Sequence, residues 1–202
     1  MLNQKNNIRP ADYFKEYAKY LTHLLSNLNY HMMNEVAKLF IATARKGKTI
    51  YFAGNGGSAA AASHFATDFS HGLVGGTGEL VKAVSLTDNV SLLTAIGNDH
   101  GYENIFVNQL INMLQAEDVM VLISASGNSS NVVKAAEFAK SKKAVTVALV
   151  GFDGGKLKEI CDYVIHVETE KGEYGPVEDL HTILNHMLAS YLILTFSKYE
   201  KV

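Results

Sequence analysis

Hydrophobic positions recur along this chain with two different periods. Tyr13, Tyr17, Tyr20, Leu21, Leu24, Leu25 and Leu28 fall at helical spacing, and Val36, Leu39, Phe40 and Ala44 continue the pattern. The spacing predicts helix through most of the first fifty residues, with Gly47 as a stop. Beyond Gly47 the pattern changes. Short apolar runs at 49–53, 81–86, 118–123, 145–150 and 163–167 alternate with helical stretches. Near-continuous apolar strands separated by helices predict a parallel sheet covered on both faces. A last helix is expected over about 177–198, with Leu180, Ile183, Leu184, Met187, Leu188 and Leu192 on its buried side. No solenoid repeat, low-complexity segment or linker interrupts the pattern. The expectation is one α/β domain over 1–202, a doubly wound parallel sheet. Residues 1–47 form a helical N-terminal extension and 48–202 the core with its C-terminal helix.

Composition narrows the class. The chain has 202 residues, enough for one domain with a real core. Eighteen basic residues against 20 acidic give a formal net charge of -2, which disfavours a dedicated nucleic-acid binder. A single cysteine, Cys161, forms no internal disulfide and gives no sign of an oxidising compartment. No secretory signal and no apolar stretch of membrane-spanning length is present, so no membrane partner and a cytoplasmic location are expected.

Sixteen glycines stand against two prolines, and seven of the glycines fall in three places: Gly54, Gly56 and Gly57; Gly127; and Gly151, Gly154 and Gly155. Each place follows an expected strand. Gly54-Asn55-Gly56-Gly57-Ser58 and Ser124-Ala125-Ser126-Gly127-Asn128-Ser129-Ser130 each lead from a strand into a helix. Ligands of open α/β sheets bind at the carboxyl ends of the strands. Glycine lets backbone approach an anion closely, and the following helix offers free N–H groups. A single turn of this kind is also what an ordinary Ser- or Asn-capped connection looks like; two in one sheet point to a phosphate cradle. No nucleotide cofactor is expected. The chain lacks a P-loop. Gly54-x-Gly56-x-x-Ala59 fits the loose dinucleotide fingerprint, but the acid due about twenty residues on falls near Gly78. Asp88 comes later and reads as a helix N-cap.

His64 and Asp68 lie four apart on the helix after the first turn and share a face. They stand about 9 Å and about 15 Å along the axis from Ser58, roughly the reach of an extended sugar phosphate held at the helix start. An imidazole and a carboxylate so placed can share a metal or divide acid and base roles. The last helix carries Glu178, Asp179, His181, Asn185 and His186. A lone His on such a helix is ordinarily packed or solvated, and on their own His181 and His186 read that way.

The ordered set Gly54 to Ala59, Ser63-His64-Phe65-Ala66-Thr67-Asp68, Gly97-Asn98-Asp99, Ser124 to Ser129 and Gly151-Phe152-Asp153-Gly154-Gly155-Lys156 resembles the successive motifs of the sugar-isomerase (SIS) domain family. Within it the chain is most similar to the phosphoheptose isomerases. The resemblance implies a flavodoxin-like sheet and a homotetramer with active sites between subunits. It implies interconversion of sedoheptulose 7-phosphate and a heptose 7-phosphate, toward activated heptose for surface glycans. Carried over by motif, Asn55, Gly56, Gly57 and Ser58 would contact substrate, as would Asn98, Asp99 and Glu178. Ser124, Ala125, Ser126 and Ser129 would form the phosphate turn. His64, Asp68, Glu178 and His186 would hold one zinc ion per subunit, with Asp68 and His186 also the candidate base and acid. Four differences from the usual family pattern are visible: Asp68 for Glu, Glu178 for Gln, Ala125 for Thr, and Ser70, His71 and Gly72 where an Arg is common. Asp68 and Glu178 together add one negative charge to the site, which favours a bound cation. The same fold also serves as a non-catalytic scaffold for a replication initiator and as a sugar-phosphate sensor; the retained His64, Asp68, Glu178 and His186 favour the enzyme.

Overall fold

The computed structural model describes residues 9–71 and 81–197. Gly72 and Gly78, named above, and the expected end of the last helix at residue 198 lie outside them. The N-terminal extension is two helices rather than one continuous run. Pro10 starts α1 (Pro10–Ser26), where its missing N–H costs nothing. Asn29 begins α2 (Tyr30–Arg45) by accepting a hydrogen bond from the Met32 N–H. Then follow β1 (Thr49–Gly54), α3 (Gly57–His71), β2 (Lys82–Ser85), α4 (Val90–His100), a 3-10 turn (Tyr102–Asn104), α5 (Val107–Met113), β3 (Val119–Ser124), α6 (Ser130–Ser141), β4 (Val145–Val150), α7 (Gly155–Ile160), β5 (Tyr163–His166) and α8 (Tyr174–Ser197).

The five strands form one sheet in the order β2-β1-β3-β4-β5, with every neighbouring pair parallel. Alternate residues of each strand feed two separate cores. Ile50, Phe52, Val119, Val121, Val147 and Leu149 face one side, against the apolar positions of α2, α3 and α8. Tyr51, Ala53, Met120, Leu122, Ala148 and Val150 face the other, against α5, α6 and α7. Phe52 stacks on Phe65 at 5.2 Å and meets Phe69 edge-on at 5.6 Å, which fixes α3 against β1. The chain leaves β1 for α3 on the first face and leaves β3 for α6 on the second. Adjacent β1 and β3 are thus the topological switch point, where a crevice opens at the strand ends. The two glycine-bearing turns flank it.

Two local expectations are corrected. Asp88 does not cap α4: Asn89 does, accepting from the Leu92 N–H, while the Asp88 carboxylate takes the Ser63 hydroxyl. On α8, Leu180, Leu184, Leu188 and Leu192 are buried, but Met187 is 38% exposed. Two polar residues of α8 are buried instead: His181 and Asn185 are each only 1% exposed. Among the described residues, no helix is long and apolar enough to cross a membrane.

Burial of His181 has a consequence for stability. Neither ring nitrogen has a well-formed hydrogen bond. Burial, opposed only by the nearby Val150 carbonyl, pushes the imidazole from its usual value down to about 4. The unfolded chain therefore binds the extra proton between about pH 6.5 and 4 and the folded chain does not, so stability falls as pH is lowered through that window. The slope from this one group approaches about 1.4 kcal/mol per pH unit. Denaturant titrations at pH 4.5, 5.5 and 7 should show it, and His181→Leu should remove that part. An unchanged slope in the variant would refute the assignment.

Candidate active site

Two neighbouring constellations form around the switch point. The first is a cavity of about 150 Å³ lined by Asn55 and Ser58 of the first turn, Ile123 at the end of β3, Ser124, Ala125, Ser126 and Ser129 of the second turn, and Tyr174 and Glu178 of α8. Seven of these nine were expected from the sequence; Ile123 and Tyr174 were not. Ser58 and Ser129 stand where α3 and α6 begin, so the positive ends of two helices open on one space. The Ser129 hydroxyl makes no capping bond and is available to a ligand. The Ser124 and Ser126 hydroxyls accept from the backbone N–H groups of Gly127 and Asn128, at 3.2 Å each, which shapes the turn and leaves the hydroxyl hydrogens to donate. Among the described residues no Lys or Arg lines the cavity; its serines, backbone N–H groups and helix ends are donors suited to an anion.

Glu178 closes one side. Its carboxylate rests against Gly57 so closely that an added Cβ would lie 2.5 Å from Oε2. A side chain at the start of α3 would displace this carboxylate, and the acid sits at the favourable pole of that helix.

The second constellation lies along α3. His64 and Asp68, one helical turn apart, meet His186 from α8. The Asp68 Oδ2 lies 3.4 Å from His64 Nε2 and 3.8 Å from His186 Nε2, and the two imidazole nitrogens are 3.4 Å apart. Donor atoms about 2.0–2.1 Å from a tetrahedral ion stand about 3.4 Å from one another. The three atoms therefore match one face of a tetrahedral metal site, and two imidazoles with one carboxylate are a fitting donor set for a borderline-soft divalent ion. All three side chains are partly exposed, so an ion can reach them. Glu178, expected as a fourth ligand, is not within this group; its carboxylate stands at the Gly57 side of the cavity instead.

Asn185 completes the surroundings of Asp68. Its buried amide Nδ2 donates to Asp68 Oδ2 at 2.7 Å, and its own Oδ1 has no partner. A hydrogen-bonded carboxylate is held at a fixed angle to whatever it binds. Asn185 was visible in the sequence as part of the α8 cluster, but nothing there indicated its partner 117 positions away.

Not every expected residue lines the cavity. Gly56 and Gly57 shape the first turn without doing so, and Asn98 and Asp99 are exposed near the end of α4, hydrogen-bonded to each other at 2.8 Å. Tyr17 of α1 instead meets α8 next to the site, donating to Asp179 at 2.5 Å, which ties the N-terminal extension to the helix that carries Glu178 and His186.

Comparison with known proteins points the same way. The SIS domain family model matches residues 12–151. The phosphoheptose isomerase of Sulfurimonas denitrificans is 40% identical over 160 residues, covering 79% of this chain and 80% of that protein. That of Aneurinibacillus thermoaerophilus is 39% identical over 159 residues, covering 79% of each. The solved structure of phosphoheptose isomerase GmhA from Neisseria gonorrhoeae superimposes with a TM-score of 0.81 at 33% identity, covering 92% of this chain and 96% of that one. The chain therefore belongs to the SIS domain family, among the phosphoheptose isomerases.

Proposed function

We propose that this protein is a phosphosugar isomerase that interconverts sedoheptulose 7-phosphate and a heptose 7-phosphate. The observation that carries this is the adjacency of two unlike sites along α3: an anion cradle at its start, and a carboxylate–imidazole group two to three turns further along it. An extended sugar phosphate anchored by its phosphate among Ser126, Ser129 and the helix ends would lay its other end toward Asp68 and His186.

The reaction moves a hydrogen between adjacent carbons. Asp68 takes the proton from the carbon next to the carbonyl; the electron pair left behind forms the C=C bond of an enediolate. The carboxylic acid then returns the proton to the neighbouring carbon, and the carbonyl is regenerated one position over. His186 shuttles the hydroxyl proton between the two oxygens. Nothing is oxidised or reduced overall, so no nucleotide cofactor is required. His64, Asp68 and His186 would hold a zinc ion, one per subunit, which when bound would polarise the sugar carbonyl. Glu178 would complete the coordination or contact the sugar. A carboxylate shared with a cation is a weaker base, so metal content and proton transfer draw on the same oxygen of Asp68.

Asn98 and Asp99, exposed and outside the cavity, fit a homotetramer whose sites are completed between subunits, in the cytoplasm. Incubating the purified protein with sedoheptulose 7-phosphate and following aldose formation tests the reaction; no conversion, with and without added zinc, would overturn it. Ser126→Ala should raise KM by about 10- to 150-fold with kcat little changed, since a hydrogen bond to a charged group is worth about 1.5–3 kcal/mol. An unchanged KM would remove Ser126 from the phosphate cradle.

A further inference from the structure

The structure assigns Asn131 and Tyr102 as positioning residues that turn Asn55 into a single hydrogen-bond donor facing the ligand cavity. This assignment rests on the isomerase reading above for its substrate, and on hydrogen-bond accounting for its geometry. Asn55 of the first glycine-bearing turn and Asn131 in the opening turn of α6 face each other across the switch point. Asn55 Nδ2 donates to Asn131 Oδ1 at 2.9 Å, and Asn131 Nδ2 donates to Asn55 Oδ1 at 2.8 Å. The Tyr102 hydroxyl adds a second donor to Asn55 Oδ1 at 2.9 Å.

A reciprocal amide pair alone could be turned over with both partners reversed. Here it cannot. The Val132 backbone N–H is shared between the Ser129 carbonyl at 3.0 Å and Asn131 Oδ1 at 2.9 Å, so a reversed Asn131 would aim its NH2 at another donor. Asn131 is 1% exposed, and no water can make good that mismatch. Fixing Asn131 fixes Asn55. The Asn55 oxygen then has both acceptor positions filled, and one of its two N–H groups is used. Its one remaining polar function is the second Nδ2 hydrogen, in a side chain that lines the cavity. Asn55 can therefore donate one hydrogen bond to a substrate oxygen and accept none. That selects a carbonyl, an alkoxide-like oxygen or a hydroxyl presenting its lone pair, and rejects a group that must donate there. The pair also ties the first turn to the start of α6, just after the phosphate turn, so the sugar contact and the phosphate cradle keep a fixed separation.

Asn131→Leu removes both bonds to Asn55 at similar volume. Tyr102→Phe removes one from a surface ring, 61% exposed, and carries little folding risk. With sedoheptulose 7-phosphate, Asn131→Leu should lower kcat/KM by about 10- to 100-fold and Tyr102→Phe by about 3-fold, as expected for losing orientation of one ligand hydrogen bond. The inhibition constant of inorganic phosphate should move less than about 2-fold in both, because the serines that hold phosphate are untouched. Wild-type kcat/KM in both variants overturns the assignment. So does an equal loss of phosphate affinity, which is what a merely structural role would give. Nitrogen-edited NMR of the full chain, without ligand, gives an independent reading. One Asn55 Nδ2 proton should exchange slowly and the other fast, and the difference should vanish in Asn131→Leu; two equivalent protons in the wild type overturn the assignment. Failure of the wild type to convert sedoheptulose 7-phosphate sinks the reaction instead, and the NMR result then decides the positioning on its own.

Discussion

Asp68→Asn should lower turnover of sedoheptulose 7-phosphate by about 10²- to 10⁴-fold and leave the fold intact. The loss is large because one oxygen, Oδ2, is central to every chemical role the site can play. It lies within 3.4 Å of His64 and 3.8 Å of His186, and it accepts the Asn185 amide at 2.7 Å. An amide in its place has a far weaker base and cannot supply the negative charge that balances a divalent ion between two imidazoles. The fold should survive because the change conserves shape. The new side chain can turn its carbonyl oxygen to Asn185 and keep that bond, and the site is partly open to water, so its NH2 is solvated. Steady-state kinetics beside a thermal melt checks both halves. More than about a tenth of wild-type turnover would remove Asp68 from the chemistry. Measuring zinc in the same preparations separates its two roles. If the variant still binds zinc at wild-type stoichiometry, the loss belongs to proton transfer; if zinc is lost with activity, coordination accounts for it.

Gly127→Ala should cost stability by about 3 kcal/mol or more and abolish the phosphate cradle. Gly127 has φ +62°, and a Cβ there would lie 1.9 Å from the Gly154 carbonyl oxygen and 2.7 Å from its carbon. Left-handed backbone alone costs an alanine about 1–2 kcal/mol; the contact with main chain adds to that, because neither partner is a flexible side chain. The two segments are interlocked: the Leu157 N–H donates to the Gly127 carbonyl at 3.0 Å, and the Lys156 N–H to Asn128 Oδ1 at 2.9 Å. Relieving the clash therefore drags the loop before α7 or displaces Ser126 and Ser129. The melting temperature should fall by roughly 6–12 °C, taking about 2–4 °C per kcal/mol for a chain of this size. Gly47→Ala is the control. Gly47 has nearly the same φ, +64°, with nothing within 4 Å of the added Cβ, so it reports strain without collision. Equal destabilisation of the two variants would show that the contact with Gly154 is unimportant.

The two variants also mark how far the sequence could be read. The central strands were legible because β1, β3 and β4 are buried on both faces and read as apolar runs: the expected 145–150 is β4 as observed, 49–53 stops one residue short of β1, and 118–123 is offset by one residue from β3. The glycine turns were legible because close backbone approach and positive φ both demand the same residue. His64 and Asp68 were legible as a pair because helical spacing puts residues four apart on one face. Periodicity was less informative on α8: apolar spacing placed Met187 inside, yet Met187 is 38% exposed, while polar His181 and Asn185 are buried, Asn185 with Asp68 as its partner.

By itself, the sequence determined the fold class, the glycine- and serine-bearing turns at strand ends and the histidine–acid pair, because each depends on local spacing. Tertiary structure alone decided which elements meet. It brought His186 to His64 across 122 positions, paired Asn55 with Asn131 across 76 and set Asn185 on Asp68. It also parted Glu178 from the histidine–acid group and set it against Gly57. Those contacts depend on how α8 packs on α3 and how the chain crosses at the switch point, and no local spacing encodes a distance between elements so far apart in sequence.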